Sequence, residues 1–486
     1  MTAPFDTIAG PSARRSKTTP AAPPPGSSGA PSLPRSGPAV PLANRLATGK
    51  ALRGAVPRAE HRRWKRGDRR ADPIEILRAS DQGRVPELVP IRYGRMLQSP
   101  FAFYRGAAGV MAADLAVTPV TGLKVQACGD CHLANFGGFA TPERNIIFDI
   151  NDFDETLPAP WEWDIKRLTA SFVLAARSVG LSDGLGRDSA IICARSYRKH
   201  MAEFAEMHPL EVWYARITGE DILVGTSSQV RRRGEARIAK ARAMKGSEID
   251  FPKLAGMVGG QLGILDTPPL IYHPEDSRGP DFRARVERLF VAYRQTLPED
   301  RRALLDQYRG VDAAIKVVGV GSVGRRCWIM LLMSASNDPL FLQVKQAVAS
   351  VLEPFAGKSE YPHHGQRVVM GQRLTQPASD MFLGWTTTED GAHYYVRQLR
   401  DAKIKPLIET FDADTLRSFA RACGWALARA HAKAGEAGGV AGYLGPGDEF
   451  DEAMGAFGVT YADQAERDHA ALKAAVRKGD IVAFVE

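Results

Sequence analysis

From Asp72 onward, hydrophobic positions alternate between helical and strand-like periods with no long linker between them, the pattern of a mixed α+β protein. After Pro158 and Pro160, the residues Trp163, Ile165, Leu168, Phe172, Ala175, Ala176 and Val179 recur at helical spacing. Further amphipathic helices are predicted over 411–435, FDADTLRSFARACGWALARAHAKAG, and over 461–477. The span 181–310 reads as mainly helical, with RRRGEARIAKARAMK as a solvated helix face. Shorter apolar runs read as strands. One leads into Gly129 and Asp130, and NIIFDI at 145–150 forms a second. The run 327–333 and LFLQVKQA at 340–347 flank SNDP, whose Asn, Asp and Pro favour a hairpin turn.

Composition changes this picture mainly at the N-terminus. The chain has 486 residues, enough for two or three packed units, and its 44% hydrophobic content is ordinary for a globular protein. Residues 1–50, typified by AAPPPGSSGAPSLPRSGPA, hold too little apolar surface to offset ordering entropy, and a disordered basic tail is expected over 1–70. Removal of residues 1–50 is therefore expected to leave the melting temperature unchanged. The net charge of +9 resides in this tail: residues 1–72 hold 14 of the 64 Lys and Arg and 4 of the 55 Asp and Glu, which leaves 50 basic against 51 acidic side chains beyond it. Nucleic-acid binding is accordingly not expected, and the HRRWKRGDRR run at 61–70 reads as a solvated face. No apolar run approaches the ~18 residues of a membrane span, so no membrane association is expected. Arg14 and Arg15 precede no apolar segment, which argues against twin-arginine export. Five scattered cysteines suit reduced thiols in the cytoplasm.

The candidate chemistry is concentrated in VQACGDCHLANFGGFATPERNIIFDINDFDETLPAPWEWDIKRL, residues 125–168. Here Asp130 and Asn135 follow the first strand, the second strand delivers Asp149, Asp152 and Asp154, and Asp164 begins a helix. Cys128, Cys131 and His132 spell the haem-attachment pattern C-x-x-C-H, which belongs to exported proteins and does not suit a chain without an export signal. The plainer alternative is that NDFDET is an Asx-rich turn with capping carboxylates. Farther on, Gly319, Gly321 and Gly324 form G-x-G-x-x-G around Ser322. A dinucleotide-binding loop must open a helix, whereas here a strand follows; an ordinary hairpin with glycines at bulges and an exposed Lys345 is the plainer alternative.

The 125–168 segment resembles the catalytic segment of the aminoglycoside-phosphotransferase and protein-kinase-like superfamily, in which a G-D-x-x-x-x-N loop precedes a strand, an I-D-F-D-D-like cluster and a W-D-L-A-like helix start. Asp130 and Asn135 keep the separation of five, and Asp164 follows Asp152 by twelve; Cys128 replaces the usual His before the Gly-Asp pair. The resemblance implies that Asp130 takes or orients the acceptor's proton while Asn135, Asp152 and Asp154 hold Mg²⁺, which prefers hard oxygen ligands. It implies ATP as cofactor, with Gly319, Gly321, Ser322, Gly324 and Lys345 at the phosphates, Glu353 or Glu360 as the partner of Lys345, and a hinge at 396–401. The Gly loop lies after the catalytic segment rather than before it, and the 411–435 helix resembles the one that runs directly into the catalytic loop in aminoglycoside kinases. Both features imply circular permutation.

Segments including DPIEILRASDQGRVPELVPIRYGRM, SPFAFYRGAAGVMAADLA, YYVRQLRDAK and YADQAERD also resemble the bacterial family called domain of unknown function 2252, over residues 70–480. Arg92, Arg95 and Arg105 match its motifs, either facing a phosphate or acidic substrate or packing as surface arginines. These resemblances imply an α+β, two-lobed, circularly permuted protein-kinase-like fold: a tail at 1–70, a helical lobe with the catalytic and metal loop at 71–310, a nucleotide-binding β lobe at 311–402, and completing helices at 403–486. The expected function is ATP- and Mg-dependent phosphotransfer to a small molecule. A pseudokinase or nucleotide-binding regulatory protein, and a non-catalytic scaffold with a basic tail, are the alternatives, separated by turnover and by nucleotide binding respectively.

Overall fold

The computed structural model describes residues 40–484, apart from 66, 68, 69, 224–227, 244–250, 276–278, 400 and 401. Its strands in chain order are β1 (Lys124–Ala127), β2 (Phe136–Ala140), β3 (Ile146–Ile150), β4 (Leu157–Pro160), β5 (Ile217–Thr218), β6 (Ala255–Val258), β7 (Gln261–Ile264), β8 (Ile271–Tyr272), β9 (Tyr308–Lys316), β10 (Cys327–Ser334), β11 (Pro339–Ala347), β12 (Gly384–Thr387) and β13 (His393–Gln398). The apolar runs on either side of SNDP form the antiparallel hairpin β10–β11, and Asn337 takes the left-handed conformation in its turn. This hairpin is the centre of a six-stranded antiparallel sheet in the order β12-β13-β11-β10-β9-β8. The 317–326 segment with its glycines is the loop between β9 and β10.

The helices predicted by periodicity form the main core. The helices Trp161–Ser178, Asp183–Glu206, Ala413–Lys433 and Glu449–Lys478 pack together with β1 and β4. Trp161 is fully buried and stacks on Tyr197 with ring centroids 5.7 Å apart. Burying an aromatic or aliphatic side chain of this size contributes about 1.5–3 kcal/mol, so this layer is the principal source of stability. A second cluster joins Ile74, Leu77, Met96 and Phe103 to Leu472 of the long final helix. The RRRGEARIAKARAMK stretch lies largely in the helix Ser228–Ala243 and is mostly exposed, with Ile238 and Ala241 turned inward; its last two residues lie outside the described set.

Two boundaries differ from expectation. The expected tail at 1–70 contains the helix Leu42–Ala55 and a 3-10 turn, Arg58–Arg62, both docked on the body. Averaging over the Pro-rich stretch hides the apolar spacing of Leu42, Leu46 and Leu52, which pack against the main core. A Cβ on Gly442, in the helix Ala437–Leu444, would overlap the carbonyl oxygen of Leu46, so this helix and Leu42–Ala55 meet backbone to backbone. Arg53 donates to the carbonyls of Tyr443 and Gly442, Arg58 to that of Leu444. Nor is 61–70 wholly a solvated face, because Trp64 is buried and Arg70 pairs with buried Asp114 and Asp468 at 2.7 and 2.6 Å. The tail reading for residues 1–39 lies outside the described residues. The sheet, moreover, begins upstream of 311: β8 pairs with β9, and the helix Pro280–Gln295 packs on the β12 end, where Tyr293 donates to the carbonyl of Phe382.

Deleting residues 1–56 removes three apolar contacts worth roughly 1 kcal/mol or more each, and is expected to lower the thermal midpoint by about 5 °C or more. Calorimetry on the truncated protein checks this; an unchanged midpoint would restore the tail reading.

Candidate active site

β1 ends at Ala127, and the chain then turns sharply through Cys128, Gly129 and Asp130. Gly129 has φ +83°, and a Cβ there would overlap the carbonyl oxygen of Glu155, so glycine is required on both counts. Asp164, in the first turn of the helix Trp161–Ser178, accepts the backbone N–H groups of Cys128 and Gly129 at 2.6 and 3.0 Å. His431 Nε2 lies 3.2 Å from the same carboxylate, and its Nδ1 lies 2.9 Å from the Tyr197 hydroxyl. The loop that has Cys128 in place of His is thus anchored from the neighbouring helix by Asp164 and His431.

Asp130 is clasped by the guanidinium of Arg167, whose Nε donates to Oδ1 at 2.7 Å. Arg167 is buried, lies over the Tyr104 ring and donates to the Tyr104 carbonyl. Burial raises Asp130 above the usual carboxylate range, although the Arg167 charge opposes the shift. Asn135 donates through Nδ2 to the Asp130 carbonyl at 2.8 Å, which fixes its side chain and leaves its carbonyl oxygen as an acceptor. Burial pushes neighbouring His132 far below its ordinary value, so its imidazole is neutral.

β3 then delivers the 152–156 loop. Lys345 on β11 forms an ion pair with Asp154, which also accepts the Tyr395 hydroxyl at 2.8 Å. Burial acts upward on Asp154, but Lys345 and these hydrogen bonds hold it below the ordinary range; Asp152 and Asp154 in turn raise Lys345 despite its burial. The pair is therefore charged. Asp152 has no Lys, Arg or His nitrogen within 4 Å among the described residues, and burial together with Asp154 raises it. Buried Arg367 fastens the loop to the end of β11 by donating to the carbonyls of Thr156, Asp154 and Val348 at 2.6, 2.8 and 2.8 Å.

A cleft of about 230 Å³ brings the two sequence motifs together: Asp130, Asn135, Asp152 and Asp154 line it along with Gly319, Gly321 and Ser322. Ser322 Oγ lies 3.4 Å from Asp154 Oδ2. Gly319 and Gly324 take positive φ at the ends of the loop. The end of the helix Ala413–Lys433 meets the start of the 125–168 segment, since Gln126 N–H donates to the Ala434 carbonyl at 3.2 Å.

A profile of the family described as "Uncharacterized protein conserved in bacteria (DUF2252)" matches residues 84–475. The chain belongs to the DUF2252 family. No curated protein and no solved structure matches it. The DUF2252 span takes in both motifs, Lys345 and the helix Ala413–Lys433, while the docked helix Leu42–Ala55 precedes it.

Several sequence candidates lie elsewhere in this DUF2252 protein. Glu353 accepts the N–H of Ser350 and sits 3.9 Å from His364, so the carboxylate paired with Lys345 is Asp154 and not Glu353. Asp149 points into the core, where it pairs with Arg429 at 2.5 Å. Cys128 and Cys131 are buried thiols, as are the other three cysteines. Of the expected hinge, 396–398 belongs to β13, while 400 and 401 lie outside the described residues. Sequence reasoning missed Arg167, Tyr395, Arg367 and His431. Arg167 was within reach, because three residues after Asp164 on a helix falls on the same face.

Proposed function

We propose that this protein transfers a phosphoryl group from ATP, with Mg²⁺, to a small-molecule acceptor, on a two-lobed, circularly permuted protein-kinase-like frame. The observation that carries this reading is the convergence of the 319–324 loop, next to Lys345 on the same sheet, with Asp130, Asn135 and Asp152 in one cleft, across nearly two hundred residues of chain. The contact between Gln126 and Ala434 supports the permutation, since an unpermuted chain would continue there from helix to catalytic loop. In the transfer, the acceptor oxygen forms a bond to the γ-phosphorus, the bond to the ADP oxygen breaks, and the acceptor proton passes to Asp130. Lys345, paired with Asp154 near the Tyr395 ring, would meet the phosphates.

Among the described residues no cluster of three His, Cys, Asp or Glu is arranged as a metal site. Magnesium is nevertheless commonly held by one or two protein oxygens, with phosphates and water completing the shell. The Asp152 carboxylate, which has no cation within 4 Å among the described residues, and the Asn135 side-chain oxygen fit that donor set. Bound Mg²⁺ supplies charge neutralisation at the phosphates. A second reading, nucleotide binding without turnover, is favoured by the Arg167 clamp on Asp130, which weakens it as a base.

Thermal shift with and without Mg²⁺ tests nucleotide binding. ATP with Mg²⁺ at 100 times its dissociation constant is expected to stabilise the fold by about 2.7 kcal/mol. Lys345→Met is expected to lose most of that increment, whatever its own midpoint. A midpoint unmoved by any nucleotide would leave the scaffold reading, and binding without ADP release would leave the pseudokinase.

A further inference from the structure

The cleft that holds Asp130 is also lined by four arginines, Arg84, Arg92, Arg105 and Arg325. Two of them donate mainly to backbone carbonyls, and Arg92 divides between a carbonyl and the Asp81 carboxylate. Arg84 donates to Ser80 and Val323, Arg325 to Gln82 and Ser80, and Arg92 to Gly106. A carbonyl satisfies a donor without cancelling its charge. The nearest carboxylate is Asp81, 2.7 Å from Arg92 and 3.8 Å from Arg84, which also accepts the Tyr93 hydroxyl; Glu155 of the same cleft acts on Arg84 and Arg325 as well. Four guanidiniums thus face two carboxylates on this side of the cleft, and burial together with Arg92 and Arg325 depresses Arg84 to about 9 against the pull of Asp81 and Glu155.

Arg105 is the least partnered of the four. Its guanidinium lies 5.9 Å from the Phe101 ring centroid, its Nε is buried without a hydrogen bond, and it has no ion pair among the described residues. Burial depresses it, and its field is felt at Asp130 and His132. The surrounding frame is built rather than loose: Arg95 donates to the Gly319 carbonyl at 2.7 Å and Val85 N–H to that of Gly324 at 2.8 Å, which ties the Gly loop to the 84–95 segment. An unpaired guanidinium beside a catalytic carboxylate, inside a frame of further arginines, calls for an anion. The phosphates of ATP are one source. Lys345 and the metal ligands would serve those phosphates; Arg105, whose backbone packs against Gly321 of the Gly loop, also acts on Asp130, where the acceptor reacts.

We propose that the acceptor is an acid, a small molecule whose phosphate or carboxylate group is bound by Arg105 within the field of Arg84, Arg92 and Arg325 while its hydroxyl meets Asp130. This rests on the phosphotransfer reading for its chemistry, though not for the anion site itself. Inorganic phosphate and succinate are titrated separately against the full-length protein, alone and with Mg-ATP saturating, and followed by calorimetry. Saturable binding of at least one is expected, undiminished by Mg-ATP, weakened at least tenfold in Arg105→Gln and partly restored in Arg105→Lys; which probe binds names the group. Because the Arg105 side chain makes no hydrogen bond among the described residues, Arg105→Gln is expected to fold and to bind Mg-ATP within threefold of the parent. Competition between the probe and Mg-ATP would assign the arginines to the nucleotide's phosphates and overturn the acid-acceptor proposal alone. Binding of neither probe, or binding indifferent to Arg105, would overturn it as well. Failure of Mg-ATP to bind, with Arg105-dependent anion binding intact, would instead sink the phosphotransfer reading and leave an anion site.

Discussion

Asp130→Asn is expected to lower ADP release from ATP by roughly a hundred- to ten-thousand-fold, the range over which a positioned general base contributes. The substitution suits the question because the amide keeps an oxygen for Arg167, so the clamp through Nε and the Asn135 contact to the Asp130 carbonyl both survive. What is lost is the capacity to take a proton, together with the charge opposite buried Arg167, so a lower thermal midpoint is also expected. Mg-ATP should therefore bind the variant nearly as well as the parent, and circular dichroism should be unchanged. If release persists at the parental rate, Asp130 does not handle the acceptor proton, and the clamp by Arg167 is its whole role.

Asp149→Ala is expected to destabilise the fold by about 3–5 kcal/mol, the cost of leaving a buried charge without its partner. Asp149 and Arg429 are 1% and 0% exposed, and burial drives both toward their neutral forms, the carboxyl upward and the guanidinium downward. Two nitrogens of Arg429, Nε and Nη1, have no hydrogen-bond partner, so the Asp149 carboxylate is its main compensation. Against a typical stability of ~5–15 kcal/mol the loss is severe. Replacing both residues, as in Asp149→Leu with Arg429→Met, is expected to recover much of it, since no charge is then stranded. Denaturant unfolding of the single and double variants decides: a double variant as weak as the single would mean that the pair does more than compensate its own burial.

The helix Trp161–Ser178, the hairpin around SNDP and the loop bearing Asp130 and Asn135 were legible in the chain because each is set by short-range rules of apolar spacing and turn chemistry. The helix Leu42–Ala55 was not. Its few apolar positions follow a Pro-rich stretch, and it is held by a surface near Gly442 about four hundred residues away. Arg53 illustrates the distance, bonding a carbonyl 390 positions downstream.

Residue order sets which chemical groups are present and how they are spaced along each loop: Asp130 five residues before Asn135, Asp152 two before Asp154, glycines at 319, 321 and 324. Only the tertiary structure decided what each charge faces. Asp149 and Asp152 are the same residue type three positions apart, yet one lies within β3 and is driven into the core against Arg429, while the other lies past the strand's end and lines the cleft. Lys345 meets Asp154 across 191 residues rather than the nearer Glu353, and Arg167 meets Asp130 across 37. The reason is physical. A charge removed from water must be compensated within a few ångströms, and which opposite charge stands there is set by how distant segments pack rather than by their order in the chain.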